Sequence, residues 1–109
     1  MFYYKGFRFT GSDDEAEIVS LTSTEEEPIR VHSVVLTYYN TSNYALLYSY
    51  VEREKVMDEI RTKGMSTSYK QEFEINIDVP VGQTFYLTGK NGIYGSDTEV
   101  IGYIKYEIK

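Results

Sequence analysis

His32 is the chain's one histidine, so any histidine-based acid–base or nucleophilic chemistry would have to run through it. A Ser-His-Asp hydrolase would use it as general base. No Gly-x-Ser-x-Gly turn or comparable nucleophile context accompanies it. A metal site built on a single imidazole would need carboxylates for its remaining ligands. The simpler reading of Val31-His32-Ser33 is an imidazole on the face of a strand. The carboxylates gather in two groups, Asp13-Asp14-Glu15-Ala16-Glu17 and Glu25-Glu26-Glu27. Loop carboxylates can bind Ca²⁺, which takes about six to eight oxygens, but no EF-hand spacing is present. A small hydrolase would need two convergent carboxylates, with Asp13, Asp14, Glu52 and Glu54 as the candidates, and a deep cleft to hold them. Solvated charge that keeps strand edges from pairing explains the same residues more simply.

Two further motifs fail on inspection. Gly82 and Gly89 are separated by six residues and Asn91 follows Lys90, whereas a phosphate-binding loop needs four residues between its glycines and then Lys-Ser/Thr. Asn40-Thr41-Ser42 matches the glycosylation triplet, but no secretory signal accompanies it. The sequence therefore assigns no catalytic residue, no cofactor and no metal site.

The tyrosines stand out instead. The chain has 12 Tyr and 5 Phe but no Trp. Tyr38, Tyr39, Tyr44, Tyr48 and Tyr50 crowd what reads as one hairpin, with Tyr44, Tyr48 and Tyr50 on one face of its second arm and Leu46 between them. Rigid amphipathic rings of this kind suit protein interfaces and can stack on sugars. Cross-strand aromatic pairing within a sheet would use the same residues without any partner.

Period-2 alternation is the dominant signal for the elements that hold these residues. Over residues 69–79, Tyr69, Gln71, Phe73, Ile75, Ile77 and Val79 fall on one face and Lys70, Glu72, Glu74, Asn76 and Asp78 on the other. A helix would scatter both sets around its circumference, so the segment is a strand with one wet face. Further strands are expected over residues 2–10, 16–21, 29–39, 44–53, 84–88 and 99–108, the arm at 44–53 pairing with 29–39 across a turn at 40–43. Residues 54–63 read as a strand with an irregular end, although Val56, Met57 and Ile60 also make a helical stripe. Turns are expected at 11–14, at Pro80-Val81-Gly82 and at Gly89-Lys90-Asn91-Gly92, where Asn-Gly suggests type I′. Loops are expected at 22–28, 64–68 and 95–97.

Seven or eight short strands in 109 residues point to one all-β domain, an antiparallel β-sandwich of two sheets, jelly-roll-like or immunoglobulin-like. A chain of this length buries enough surface for a real core, and with no cysteine it has no disulfide to lean on. The charge balance, 11 basic against 17 acidic residues and a net −6, argues against a nucleic-acid surface, because phosphate binding needs a basic patch. No apolar run is long enough for a membrane span. The first residues lack the basic and apolar regions of a signal peptide, so synthesis in the cytoplasm without a conventional export signal is expected.

The C-terminal third, from Val79-Pro80-Val81-Gly82-Gln83-Thr84-Phe85-Tyr86-Leu87 through Gly102-Tyr103-Ile104-Lys105-Tyr106-Glu107, resembles small β-sandwich virion proteins of bacterial and archaeal viruses. The resemblance rests on a strand ending in a Val-Pro-x-Gly turn, a short aromatic strand, a Gly-rich loop and a final aromatic strand. It implies a structural or attachment role within a virion and carries no functional residues with it. The expectation is therefore a non-enzymatic structural protein that self-assembles or docks with other particle proteins. A carbohydrate-binding sandwich using the tyrosines, or Ca²⁺ held by loop carboxylates, is the alternative, and a small carboxylate hydrolase ranks last.

Overall fold

The computed structural model describes residues 1–39, 44–62, 70–92 and 98–109. It contains eight strands: β1 (Phe2–Phe9), β2 (Ala16–Thr22), β3 (Ile29–Tyr39), β4 (Ala45–Val51), β5 (Glu54–Arg61), β6 (Gln71–Val79), β7 (Thr84–Asn91) and β8 (Val100–Ile108). They form two antiparallel sheets of four, ordered β1-β8-β3-β6 and β2-β7-β4-β5. The pairings nest: β1 with β8, β2 with β7, β3 with β6 and β4 with β5. Two further contacts, β3 with β8 and β4 with β7, close the sheets. This is a long hairpin rolled into a sandwich, the jelly-roll arrangement. The expected all-β two-sheet sandwich is what the chain forms, and residues 54–61 are a strand. The turn expected at 40–43 and the loops expected at 64–68 and 95–97 lie outside the described residues, as does Tyr69.

The core lies between the sheets and is filled by the inward face of each strand. Phe85, Leu47, Leu87 and Ile104 are fully buried there, each such side chain stabilising the fold by about 1.5–3 kcal/mol. β3 shows how backbone irregularity selects core residues. Strict alternation from Ile29 and Val31 would turn Ser33 and Thr37 inward. Instead the register against β8 shifts between Val31 and Ser33 and again between Leu36 and Tyr38, and the core residues are Ile29, Val31, Val34, Leu36 and Tyr39. Each bulge inserts one residue and resets which side chains face in. Ser33 is thereby free to donate from Oγ to Glu72 Oε2 at 2.6 Å.

Opposite this part of β3, Gly102 of β8 sits where any side chain would collide. A Cβ there would lie 2.1 Å from the Val35 carbonyl oxygen and 2.9 Å from Phe7 Cζ. The turn expected at Pro80-Val81-Gly82 is present. The Gln83 amide donates to the Pro80 carbonyl at 2.9 Å, and Gly82 takes φ +89°, as position i+2 of a type II turn requires.

Two expectations need correction. Residues 29–39 and 44–53 do not form a hairpin: β3 and β4 belong to opposite sheets, and β4 pairs with β5 and β7. Nor do Gly89, Lys90 and Asn91 form a turn. They extend β7, with Gly89 opposite Leu47, Lys90 opposite Leu46 and Asn91 opposite Ala45. Asn91 is also tied to the β1–β2 connection: its amide donates to the Ser12 carbonyl at 2.7 Å, and its Oδ1 accepts from the Ser12 amide at 3.2 Å. Those bonds reward extension of the strand over a tight turn.

Candidate functional site

Splitting the expected hairpin disperses its tyrosines. Tyr39 points into the core and is 1% exposed. Tyr38, its neighbour, is 45% exposed on the other side of the same sheet. Tyr44 precedes β4 and is buried, its ring against Gly92 and the Arg61 guanidinium 5.7 Å from the ring centroid. In β4 itself Ala45, Leu47 and Val51 join the core, so Leu46, Tyr48 and Tyr50 share the outer face, as the sequence suggests.

That face is already occupied by side chains of the same chain. Lys55 Nζ lies over the Tyr48 ring at 4.8 Å, and the Tyr48 hydroxyl donates to Glu59 Oε2 at 2.8 Å. Burial first, and the Glu59 carboxylate second, push the Tyr48 phenol up to about 12. Tyr50 donates to Glu15 Oε2 at 3.0 Å, and Thr88 Oγ1 donates to the same oxygen at 2.8 Å. The hydroxyls of Tyr48 and Tyr50 are thus tied to carboxylates of the same chain, and the Tyr48 ring carries a cation on its face.

The carboxylates singled out for hydrolysis fall at two separate places rather than one. Asp13 Oδ1 accepts from Asn91 Nδ2 at 3.1 Å, at the end of β7. Glu52 Oε1 accepts from the Thr84 amide at 3.0 Å, at the start of β7. The length of that strand places the two groups about 20 Å apart. Asp14 neighbours Asp13, and Glu54 lines one cavity with Glu52, Arg53 and Gln83, so the four candidates divide into two pairs at opposite ends of β7. His32 lies at the first bulge of β3. Its Nε2 is 3.2 Å from Glu107 Oε1, and the Phe2 ring meets it edge-on at 4.7 Å. The adjacent Ser33 hydroxyl is committed to Glu72. Among the described residues no group of three or more His, Asp or Glu could hold a metal ion, and no helix is long and apolar enough to cross a membrane.

The open aromatic surface lies elsewhere, on β1. Phe2, Tyr3 and Tyr4 are 42%, 40% and 61% exposed. They are consecutive on an edge strand that pairs with β8 on one side and, among the described residues, with no strand on the other. Phe7 and Phe9 take the buried positions of β1, which turns Phe2, Tyr4, Gly6 and Arg8 to the outer face. There Tyr4 meets Tyr103 edge-on at 5.4 Å, and Lys105 Nζ stands 4.5 Å from the Phe2 ring centroid. Tyr103 accepts from Lys70 Nζ at 3.2 Å. On the inner side Tyr3 stacks on Tyr106 at 5.7 Å. The sequence carried a signal for this surface: three aromatics in a row cannot all be buried by a period-2 strand.

No family model, no curated protein and no solved structure matches this chain.

Proposed function

We propose that the chain is a non-enzymatic structural domain that works through protein–protein contacts, as a building or docking unit of a larger assembly such as a viral particle. The observation that carries this reading is the run of exposed rings, Phe2, Tyr3 and Tyr4, on the β1 edge. Large apolar surface left open on a small domain usually marks an interaction site, and rigid aromatic rings are the commonest interface anchors. The separation of Asp13 from Glu52 supports the same reading, because it divides the four candidate carboxylates between opposite ends of β7. The jelly-roll order is shared by viral capsid domains, lectin domains and cupins, so it accommodates a particle component without selecting one.

Light scattering on the chromatographed protein over a concentration series tests the proposal. A defined oligomer is expected. A chain that stays monomeric up to millimolar concentration, and whose Phe2→Ser/Tyr4→Ser variant is no more soluble than the parent, would sink it.

A further inference from the structure

We propose that two copies of this chain join edge to edge through β1, antiparallel about a twofold axis at Tyr4, merging their β1-β8-β3-β6 sheets into one sheet of eight strands. The inference rests on the assembly reading above and names its partner.

The four sheet edges are not equivalent. β2 is bulged between Glu17 and Val19. β5 has two register shifts against β4 and carries Glu54, Asp58 and Glu59. β6 is bulged opposite β3, holds Asn76 at φ +53°, and exposes Glu72, Glu74 and Asp78. Bulges and charge are the usual devices that stop strand edges from pairing with other chains. β1 has neither a bulge nor a carboxylate. It pairs with β8 residue for residue from Phe2 to Phe9 without a shift, so its far edge is a regular ladder of backbone groups. Its two cations are engaged within the chain: Lys5 Nζ donates to the Ser20 carbonyl on β2 at 2.9 Å, and Arg8 pairs with Glu99.

The sequence of β1 then selects both the occupant and the register. In an antiparallel pair, directly opposed residues point to the same face. A continuous outer face therefore sets Phe2, Tyr4, Gly6 and Arg8 of one copy against the same set in the other, and a twofold that pairs at least five residues of β1 passes through Tyr4, Lys5, Gly6 or Phe7. Centring on Lys5 opposes two ammonium groups, which destabilises a pair. Centring on Gly6 or Phe7 leaves Phe2 beyond the end of the partner strand. Centring on Tyr4 sets Tyr4 against Tyr4, Phe2 against Gly6 and Tyr3 against Lys5. Every exposed ring of the edge gains a neighbour, the one cation in the paired segment faces an aromatic ring, and no like charges meet. Because the strand complements itself in this register, a second copy is the occupant it fits.

The chain has no cysteine, so a single introduced thiol reports the contact cleanly. Opposed residues across an antiparallel pair have Cα atoms about 4.5–5.5 Å apart, within disulfide reach. Tyr4→Cys is expected to cross-link into a covalent dimer under mild oxidation at dilute protein, whereas Tyr38→Cys, exposed but away from the edge, stays uncross-linked. Tyr4→Lys places like charges at the axis and is expected to raise the dimer dissociation constant roughly tenfold, with the dissociated monomer still showing the parent's β-sheet circular dichroism. An oligomer that Tyr4→Lys leaves intact and that Tyr4→Cys does not cross-link overturns the β1 pairing while the assembly reading stands. A monomer at every concentration, with no cross-linking, overturns the pairing together with self-assembly.

Discussion

Tyr48 and Glu59 are joined across the β4–β5 pairing by a phenol that donates to a carboxylate oxygen 2.8 Å away. The bond shifts both partners: with burial, it pushes the phenol up to about 12, and it holds the Glu59 carboxyl below its ordinary value, with Arg61 assisting. The folded chain therefore keeps the phenol proton more tightly than the unfolded chain does. The stability this brings is whole below about pH 10, the ordinary phenol value, and is lost as the pH climbs towards about 12. Tyr48→Phe should cost about 1 kcal/mol at neutral pH and flatten the alkaline limb of the stability profile. Urea unfolding at stepped pH would measure both effects.

Gly102→Ala tests the close approach of β8 to β3. Its methyl would fall 2.1 Å from the Val35 carbonyl oxygen, and backbone cannot swing aside as a side-chain tip can. A loss of about 3 kcal/mol is expected, read as a lower urea midpoint with an unchanged slope. A midpoint equal to that of the parent would contradict the geometry.

Thr62→Val isolates one buried hydrogen bond. Thr62 Oγ1 accepts from the Ala45 amide at 2.8 Å in a fully buried setting, while the Thr62 amide returns a bond to the Ala45 carbonyl at 3.0 Å. Valine preserves shape and leaves the Ala45 amide without its acceptor. A cost of about 1–3 kcal/mol follows. Amide exchange at Ala45 should accelerate by more than the global loss accounts for.

Asp78 accepts from Arg30 Nη1 at 2.9 Å and has Lys109 Nζ at 3.1 Å. Arg30 first and Lys109 second hold its carboxyl below the ordinary value. Whatever stability the cluster brings is present above the ordinary carboxylate range and disappears as the pH falls through the lowered value. In a carbon-detected pH titration, Arg30→Ala should move Asp78 further towards the ordinary value than Lys109→Ala does. The opposite order would show that the lysine dominates.

What the sequence could and could not reveal follows from the range of each interaction. β6 was legible because its alternation of Phe73, Ile75 and Ile77 with Glu72, Glu74, Asn76 and Asp78 is local and is decided by one wet face. The tyrosine hairpin was not, because alternation tells which side of a strand a residue occupies but not which sheet the strand joins. Tyr39 and Tyr44 lie close in sequence, yet the strands beside them are in opposite layers. The true length of β7 was hidden for a similar reason. Asn91-Gly92 is a strong local turn signal, and it is overridden by bonds to Ser12, which is remote in sequence. The exposed rings of β1 were visible in the sequence but were overshadowed by the denser cluster further along.

The nested pairing also governs how the molecule reaches its shape. Only β4 and β5, joined by a two-residue turn, meet through local contacts. Each outer pair must close a longer loop, ending with β1 against β8. Such a topology has high contact order, and domains of this kind fold in milliseconds to seconds rather than microseconds. Because six strands separate β1 from its partner β8, the aromatic edge of β1 has neither side paired until β8 has been made. An unpaired aromatic strand of this kind is prone to aggregate for as long as it waits.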